Sequence, residues 1–191
     1  HILAYMRIDP IIVIATLLHD VPEDTTVTLQ EIEDNFGAEV ASLVSGITKL
    51  GKLKYRGVER YIENLRKMFV AMAEDIRVMI IKFADRIHNL ETLDSLPQQK
   101  AYRIALESLE IYAPIAGRLG MDEMKSRIED LSFKYVYPKE YQRIVQIHEE
   151  RITGKEQYYK KVQHVAAKEL QKAGIIDVLI VGRNKKLYSF F

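Results

Sequence analysis

Residues 78–84, Val-Met-Ile-Ile-Lys-Phe-Ala, are apolar on almost every side at helical spacing. A helix of this kind has no face to give to water, so other elements must wrap it. Asp75 precedes it and can cap it, and Asp85 follows its apolar centre directly. A chain built round such a segment folds as a mainly α structure, a helical bundle with one buried helix. That helix carries a carboxylate into or against the core.

The flanking segments have the same period. Asp9-Pro10 is a helix start with Pro in the first turn, and Ile11, Ile14, Ala15 and Leu18 then mark one apolar face. Thr28-Leu29-Gln30-Glu31 has the capping-box form, so a helix is expected from there to a break near Gly37. Further helices fit residues 38–49, 58–73, 99–116 and 121–135, with Leu96-Pro97 ending the Asp75 helix or the turn after it. The Gly-flanked basic stretch 51–57 reads as a loop. Pro138 opens a charged amphipathic helix expected to run to Lys172. Gly174 then stops it, and the β-branched stretch 175–181 is the first convincing strand. One strand is not a domain. Residues 174–191 therefore read as the start of a second, α/β unit. The chain opens at His1-Ile2-Leu3 without Met and is expected to be cut at both ends.

Composition narrows the function classes. Hydrophobic residues make up 48% and charged residues 29%, which suits a packed globular core rather than disorder. The 28 Lys and Arg against 27 Asp and Glu leave a net charge of +1. That balance gives no bulk attraction to nucleic acid or membrane, so an anionic ligand must be met by a local basic cluster. The absence of cysteine excludes disulfides, thiolate ligands and cysteine nucleophiles, and fits a reducing cytoplasm. No apolar run approaches the length of a membrane span.

Two sites of chemistry stand out. His19-Asp20 closes the apolar helix of residues 11–18, where the ordinary explanation is a solvated helix end. Asp85 is the second. A carboxylate in an apolar helix is costly unless it is paired or binds a cation. The ordinary explanation here is an ion pair with Arg86 or Lys82. Asp85, Asn89 and Thr92 fall at i, i+4 and i+7 on one face, however, which suggests a ligand wall. Imidazole with carboxylates is a ligand mix for manganese, iron, zinc or magnesium. His88, a quarter-turn away, reads as a satisfied structural histidine.

These residues lie in stretches that resemble a known family. LLHDVPEDT (17–25), GITKLGKLKY (46–55), ENLRKMFVAM (63–72), DIRVMIIKFADRIHNLETL (75–93) and EIYAPIAGRLGM (110–121) look like the hydrolase domain of the long RelA/SpoT (Rel-type) stringent-response enzymes. IEDLSF (128–133) and GRNKKLYS (182–189) match later signals of the same family. The resemblance covers essentially the whole chain in order. It implies an HD-type helical bundle over 1–117, a helical connector over 118–173, and the start of an α/β synthetase domain over 174–191. The implied activity is manganese-dependent (Mn2+) hydrolysis of guanosine 3′,5′-bis(diphosphate), ppGpp or pppGpp, to GDP or GTP and pyrophosphate. The implied parent also synthesises the alarmone from ATP and GDP or GTP. It contacts the ribosome through other regions, with no membrane and no direct nucleic-acid binding by this part.

Carried over residue by residue, His19, Asp20 and Asp85 match three metal ligands. Glu23 and Asp24 match the acidic pair that orients or deprotonates the attacking water, and capping of a new segment is their ordinary role. Asn89 and Thr92 match nucleoside-contacting positions. Lys49 lies in the GITKL stretch, where phosphate attraction stands beside a plain solvated lysine. Arg183 and Lys185 match the ATP-binding remnant of the synthetase.

The sequence departs from the family pattern in four places. The fourth ligand is a His followed by Pro just upstream of position 1, and His1 stands at a different offset. Pro22 replaces an ordinary apolar residue and is expected to push Val21 from helical geometry, so that Glu23 and Asp24 start a new turn. Glu91 stands where the family has Arg, which removes a positive charge near the phosphate site. Gly117 replaces a His. Two other readings remain: a degenerate HD domain regulating a synthetase, and an HD phosphohydrolase of another nucleotide.

Overall fold

A computed structural model describes residues 2–6, 8–51, 58–152, 156–180 and 186–191. The first helices are α1 (Ile2–Tyr5), α2 (Pro10–Leu18), α3 (Val21–Asp24), α4 (Leu29–Phe36) and α5 (Ala38–Gly51). Asp9 caps α2, its Oδ1 accepting from the Ile11 amide at 2.8 Å. The capping box at Thr28 is fully formed: its Oγ1 accepts from the Glu31 amide, and its own amide donates to Glu31 Oε2 at 2.8 Å. Gly37 takes a φ of 91°, a left-handed backbone that favours glycine, and so lets the chain turn from α4 straight into α5.

Next come α6 (Val58–Glu74) and α7 (Arg77–Glu91). Asp75 caps α7 through the Arg77 amide at 2.9 Å. The buried helix expected from residues 78–84 is real: Met79, Ile81, Phe83, Ile87 and Leu90 have no measurable exposure. Packed around α7 are α2, α5, α6 and, further along the chain, α10. A short 3-10 turn, Leu93–Ser95, leads to Pro97 and α8 (Gln98–Glu107).

The single helix expected over 99–116 is continuous, but it widens in its middle. After α8 comes a π-helical turn at Ser108–Tyr112, then α9 (Ala113–Arg118). The widened turn lies just before Pro114, which has no amide to donate into an α-helical ladder. Then follow α10 (Asp122–Val136), α11 (Pro138–Ile152) and α12 (Glu156–Lys172). The long helix expected from Pro138 to Lys172 is helical on both sides of residues 153–155, which lie outside the described residues. None of the described residues forms a strand. A strand needs a partner, and the described residues offer none to 175–180, so the strand expected at 175–181 stays an expectation. Among the described residues no helix is long and apolar enough to cross a membrane.

Candidate active site

The site forms where the end of α2 meets the middle of α7. Ile12 and Ala15 bury the inner face of α2. This leaves the residues after Leu18 beside α7. There His19 Nδ1 lies 2.7 Å from the Thr16 carbonyl oxygen. A carbonyl only accepts, so Nδ1 carries the hydrogen. Nε2 is left facing two carboxylates, Asp20 Oδ1 at 3.1 Å and Asp85 Oδ1 at 3.8 Å. A bare Nε2 lone pair aimed at two anions would be repelled, so the arrangement calls for a proton or a metal cation between them. The facing Asp85 raises the His19 pKa above its usual value, burial opposes this, and the Thr16 carbonyl and Asp20 add to the rise.

Asp85 is only 15% exposed, and it is well furnished with partners. Lys82 Nζ donates to Oδ2 at 2.9 Å, and Asn89 Nδ2 donates to Oδ1 at 2.9 Å. Burial alone would push this carboxyl up. The His19 imidazole and the Lys82 charge outweigh it and hold the carboxyl well below the usual carboxylate range. The ion pair with Lys82 is therefore present, as the ordinary explanation had it. It uses one oxygen only, and the other faces His19. Imidazole with two carboxylates, with His19 and Asp85 each oriented by neighbouring groups, is a donor set able to hold a divalent cation. Among the described residues, though, no group of three or more such side chains is drawn together closely enough to hold a metal ion as it stands.

A cavity of about 540 Å³ opens onto these groups, and His19, Asp20, Asp85, His88, Asn89 and Glu91 line it. A second cavity, of about 400 Å³, lies on the other side of Asp85 and Asn89. It adds Lys82, Arg86, Thr92 and Lys100 to the shared wall. Asp85 and Asn89 thus line both hollows, while Thr92 lines only the second.

Other expected residues lie apart. Glu23 and Asp24 are exposed on α3 and line neither cavity. Their backbone amides both donate to the Asp20 carbonyl, at 3.0 and 2.9 Å, which ties the acidic pair to Asp20. Val21 is the first residue of α3 and is helical, contrary to the effect expected of Pro22. Pro22 sits in the first turn, where its missing amide costs nothing, so the break falls one residue earlier, at Asp20. Lys49 is exposed in the last turn of α5 and lines neither cavity. Arg183 and Lys185 lie outside the described residues, as do Lys52, Lys54 and Arg56.

The HD-domain family description matches residues 1–122. The chain belongs to the HD-domain family. Over all 191 residues this HD chain is 46% identical to the bifunctional (p)ppGpp synthase/hydrolase SpoT of Escherichia coli, of which it covers 27%. It is 42% identical, over its whole length, to a guanosine-3′,5′-bis(diphosphate) 3′-pyrophosphohydrolase of Haemophilus influenzae, covering 28% of that protein. A GTP pyrophosphokinase of Streptomyces coelicolor is 44% identical across the full chain, which covers 22% of it. The chain therefore spans about a quarter of the length of these relatives. The resemblance to long RelA/SpoT enzymes is borne out along its full length.

Two features of the HD site differ from the sequence reading. His88 is not a satisfied core histidine: it is exposed, lines the larger cavity and has no ring partner among the described residues. Helical spacing put it near the site, but its freedom depends on what does not pack against it. Glu91 does bring a negative charge to the cavity wall, yet Arg127 on α10 meets it at 2.7 Å. Arg127 was not singled out in the sequence.

Proposed function

We propose that this HD domain hydrolyses guanosine 3′,5′-bis(diphosphate), releasing pyrophosphate from the 3′ position, with Mn2+ held by His19, Asp20 and Asp85. The observation that carries the reading is His19 Nε2 turned toward two carboxylates on the wall of a cavity of about 540 Å³. The names of the relatives supply the substrate. A bound divalent cation would lower the pKa of a water and polarise a phosphoryl oxygen. The Thr16 carbonyl, Lys82 and Asn89 orient the ligand residues. Glu23 or Asp24 takes the proton of the attacking water. Asn89 and Thr92 contact the nucleoside, and Lys49 draws the phosphates.

The same reading gives residues 118–173 the role of connector. It gives 174–191, with Arg183 and Lys185, the start of a synthetase using ATP and GDP or GTP. It places the parent in the cytoplasm, with ribosome contacts made elsewhere. The match over residues 1–122 supports ending the hydrolase domain near 117. The competing reading, an inactive HD module that regulates a synthetase, draws on the donors that do not yet converge.

The test is pyrophosphate release from guanosine tetraphosphate by the full-length protein with manganese, alongside elemental analysis of bound metal. Release is expected, and Asp85→Asn should lower it at least about 100-fold with loss of metal. No release from the unaltered protein, with no metal bound, would leave the regulatory reading standing.

A further inference from the structure

Removal of a 3′-pyrophosphate leaves a ribose oxygen, and an alkoxide is a poor leaving group. Water attacks the phosphorus attached to that oxygen, the P–O3′ bond breaks, and its electron pair stays on O3′. The oxygen must gain a proton as this happens, so the site needs an acid as well as a base.

Among the described residues, the cavity beside His19 and Asp85 offers few donors. His19 has Nδ1 committed to the Thr16 carbonyl and Nε2 to the carboxylates. The Thr16 hydroxyl donates to the Ile12 carbonyl at 2.6 Å. Asp85 is held as a carboxylate. Asp20 faces His19 as a ligand, Glu91 is bound by Arg127, and an Asn89 amide is not an acid. His88 remains. It lies on the same wall, three residues along α7 from Asp85 and next to Asn89, exposed and with both ring nitrogens unpartnered among the described residues. Imidazole is the side chain best suited to give a proton near neutral pH.

We propose that His88 is the general acid that protonates the ribose 3′ oxygen as pyrophosphate hydrolysis proceeds. The inference rests on the hydrolase reading above. The proton passes from a His88 ring nitrogen to O3′, and His88 regains one from solvent, to which it is open. The proton of the attacking water goes to the acidic pair, so the two transfers use different groups.

The test uses the full-length protein with manganese and guanosine tetraphosphate. His88→Ala should lower kcat about 100-fold with KM changed less than about threefold, because a general acid typically contributes 10²–10⁴-fold in the transition state. Its manganese content should equal that of the unaltered protein. Added imidazole, entering the open cavity, should restore a good part of the lost rate. His88→Gln, which keeps the volume, should lose activity in the same way. A kcat close to that of the unaltered protein in both variants would overturn the inference alone. So would a loss that comes with raised KM or lost metal and that imidazole does not relieve. An unaltered protein that releases no pyrophosphate would overturn the hydrolase reading, and this inference with it.

Discussion

Asp85 keeps its charge in a setting that disfavours charge, because His19, Lys82 and Asn89 all meet it. The consequence is a pH dependence that can be worked out by sign. The Asp85 pKa is depressed, so its stabilisation is present above the ordinary value of 3.8 and is lost as pH falls through the folded value. The His19 pKa is raised, so its stabilisation is complete below 6.5 and is lost as pH rises through its folded value. Chelator-treated protein should therefore have its highest Tm between about pH 4 and 6.5 and decline above that window. Manganese should reverse the alkaline decline by replacing the proton, and His19→Gln should flatten it. Calorimetry across pH, with and without metal, checks this; an unchanged Tm from pH 6 to 9 without metal would contradict it. At this scale the sequence was informative about charge and poor about neighbours. Asp85 was legible as a carboxylate out of place in an apolar helix. The Thr16 carbonyl that sets the His19 tautomer was not, because every helix residue offers the same group.

Helix α7 holds the site residues in register, and Arg86 anchors it to α8 and the π-helical turn. Its Nη2 donates to the Tyr112 hydroxyl at 2.7 Å, its guanidinium stacks over the Tyr112 ring, and Glu107 lies 3.4 Å from Nη1. Tyr112 closes the π-helical turn and also meets Phe83 of α7 edge to face. The unusual turn thus presents a ring that both pairs and packs with α7. Arg86 Nε is already buried without a partner, so losing another acceptor would be costly. Tyr112→Phe should destabilise the protein by about 1–3 kcal/mol, the desolvation cost of a buried donor left unpaired. It should also lower pyrophosphate release by shifting α7. Urea denaturation beside the activity assay measures both; equal stability would show that Arg86 finds another acceptor. The capping box at Thr28 and the stop at Gly37 were legible because they depend on a few local residues. The π-helical turn was not, since its apolar spacing reads as a continuous helix and only Pro114 hints at a widened ladder.

Across the molecule the described residues form two apolar centres rather than one. The main core runs through α2, α5, α7, α9 and the start of α10. Phe133 is fully buried but stands outside it. Its ring instead meets Tyr141 and Tyr188 edge to face, with Tyr137 and Phe191 tilted against it, at centroid distances of 5.2 to 6.3 Å. The Tyr188 amide also donates to Asp130 on α10 at 2.9 Å. Residues 187–191 are thus docked on α10 and α11 by aromatic packing. The same α10 reaches the end of α7 through Arg127–Glu91, and the 3-10 turn after it through Lys134 and Tyr135 to Asp94. Those ion pairs are exposed and worth little in stability, about 0–1 kcal/mol each. The aromatic centre is what joins the final segment to the bundle. Helical periodicity gave α10 in outline, but not this second centre, whose members lie up to 58 positions apart. Phe133→Ala should cost about 3–5 kcal/mol locally, as expected when a large buried ring is removed. Because Phe133 lies outside the main core, the loss should stay local. Hydrogen exchange should then speed up in 187–191, α11 and the end of α10, while the amides of α2, α5 and α7 keep their protection. Pyrophosphate release should persist. Uniform loss of protection across α7 as well would show that the two centres unfold as one.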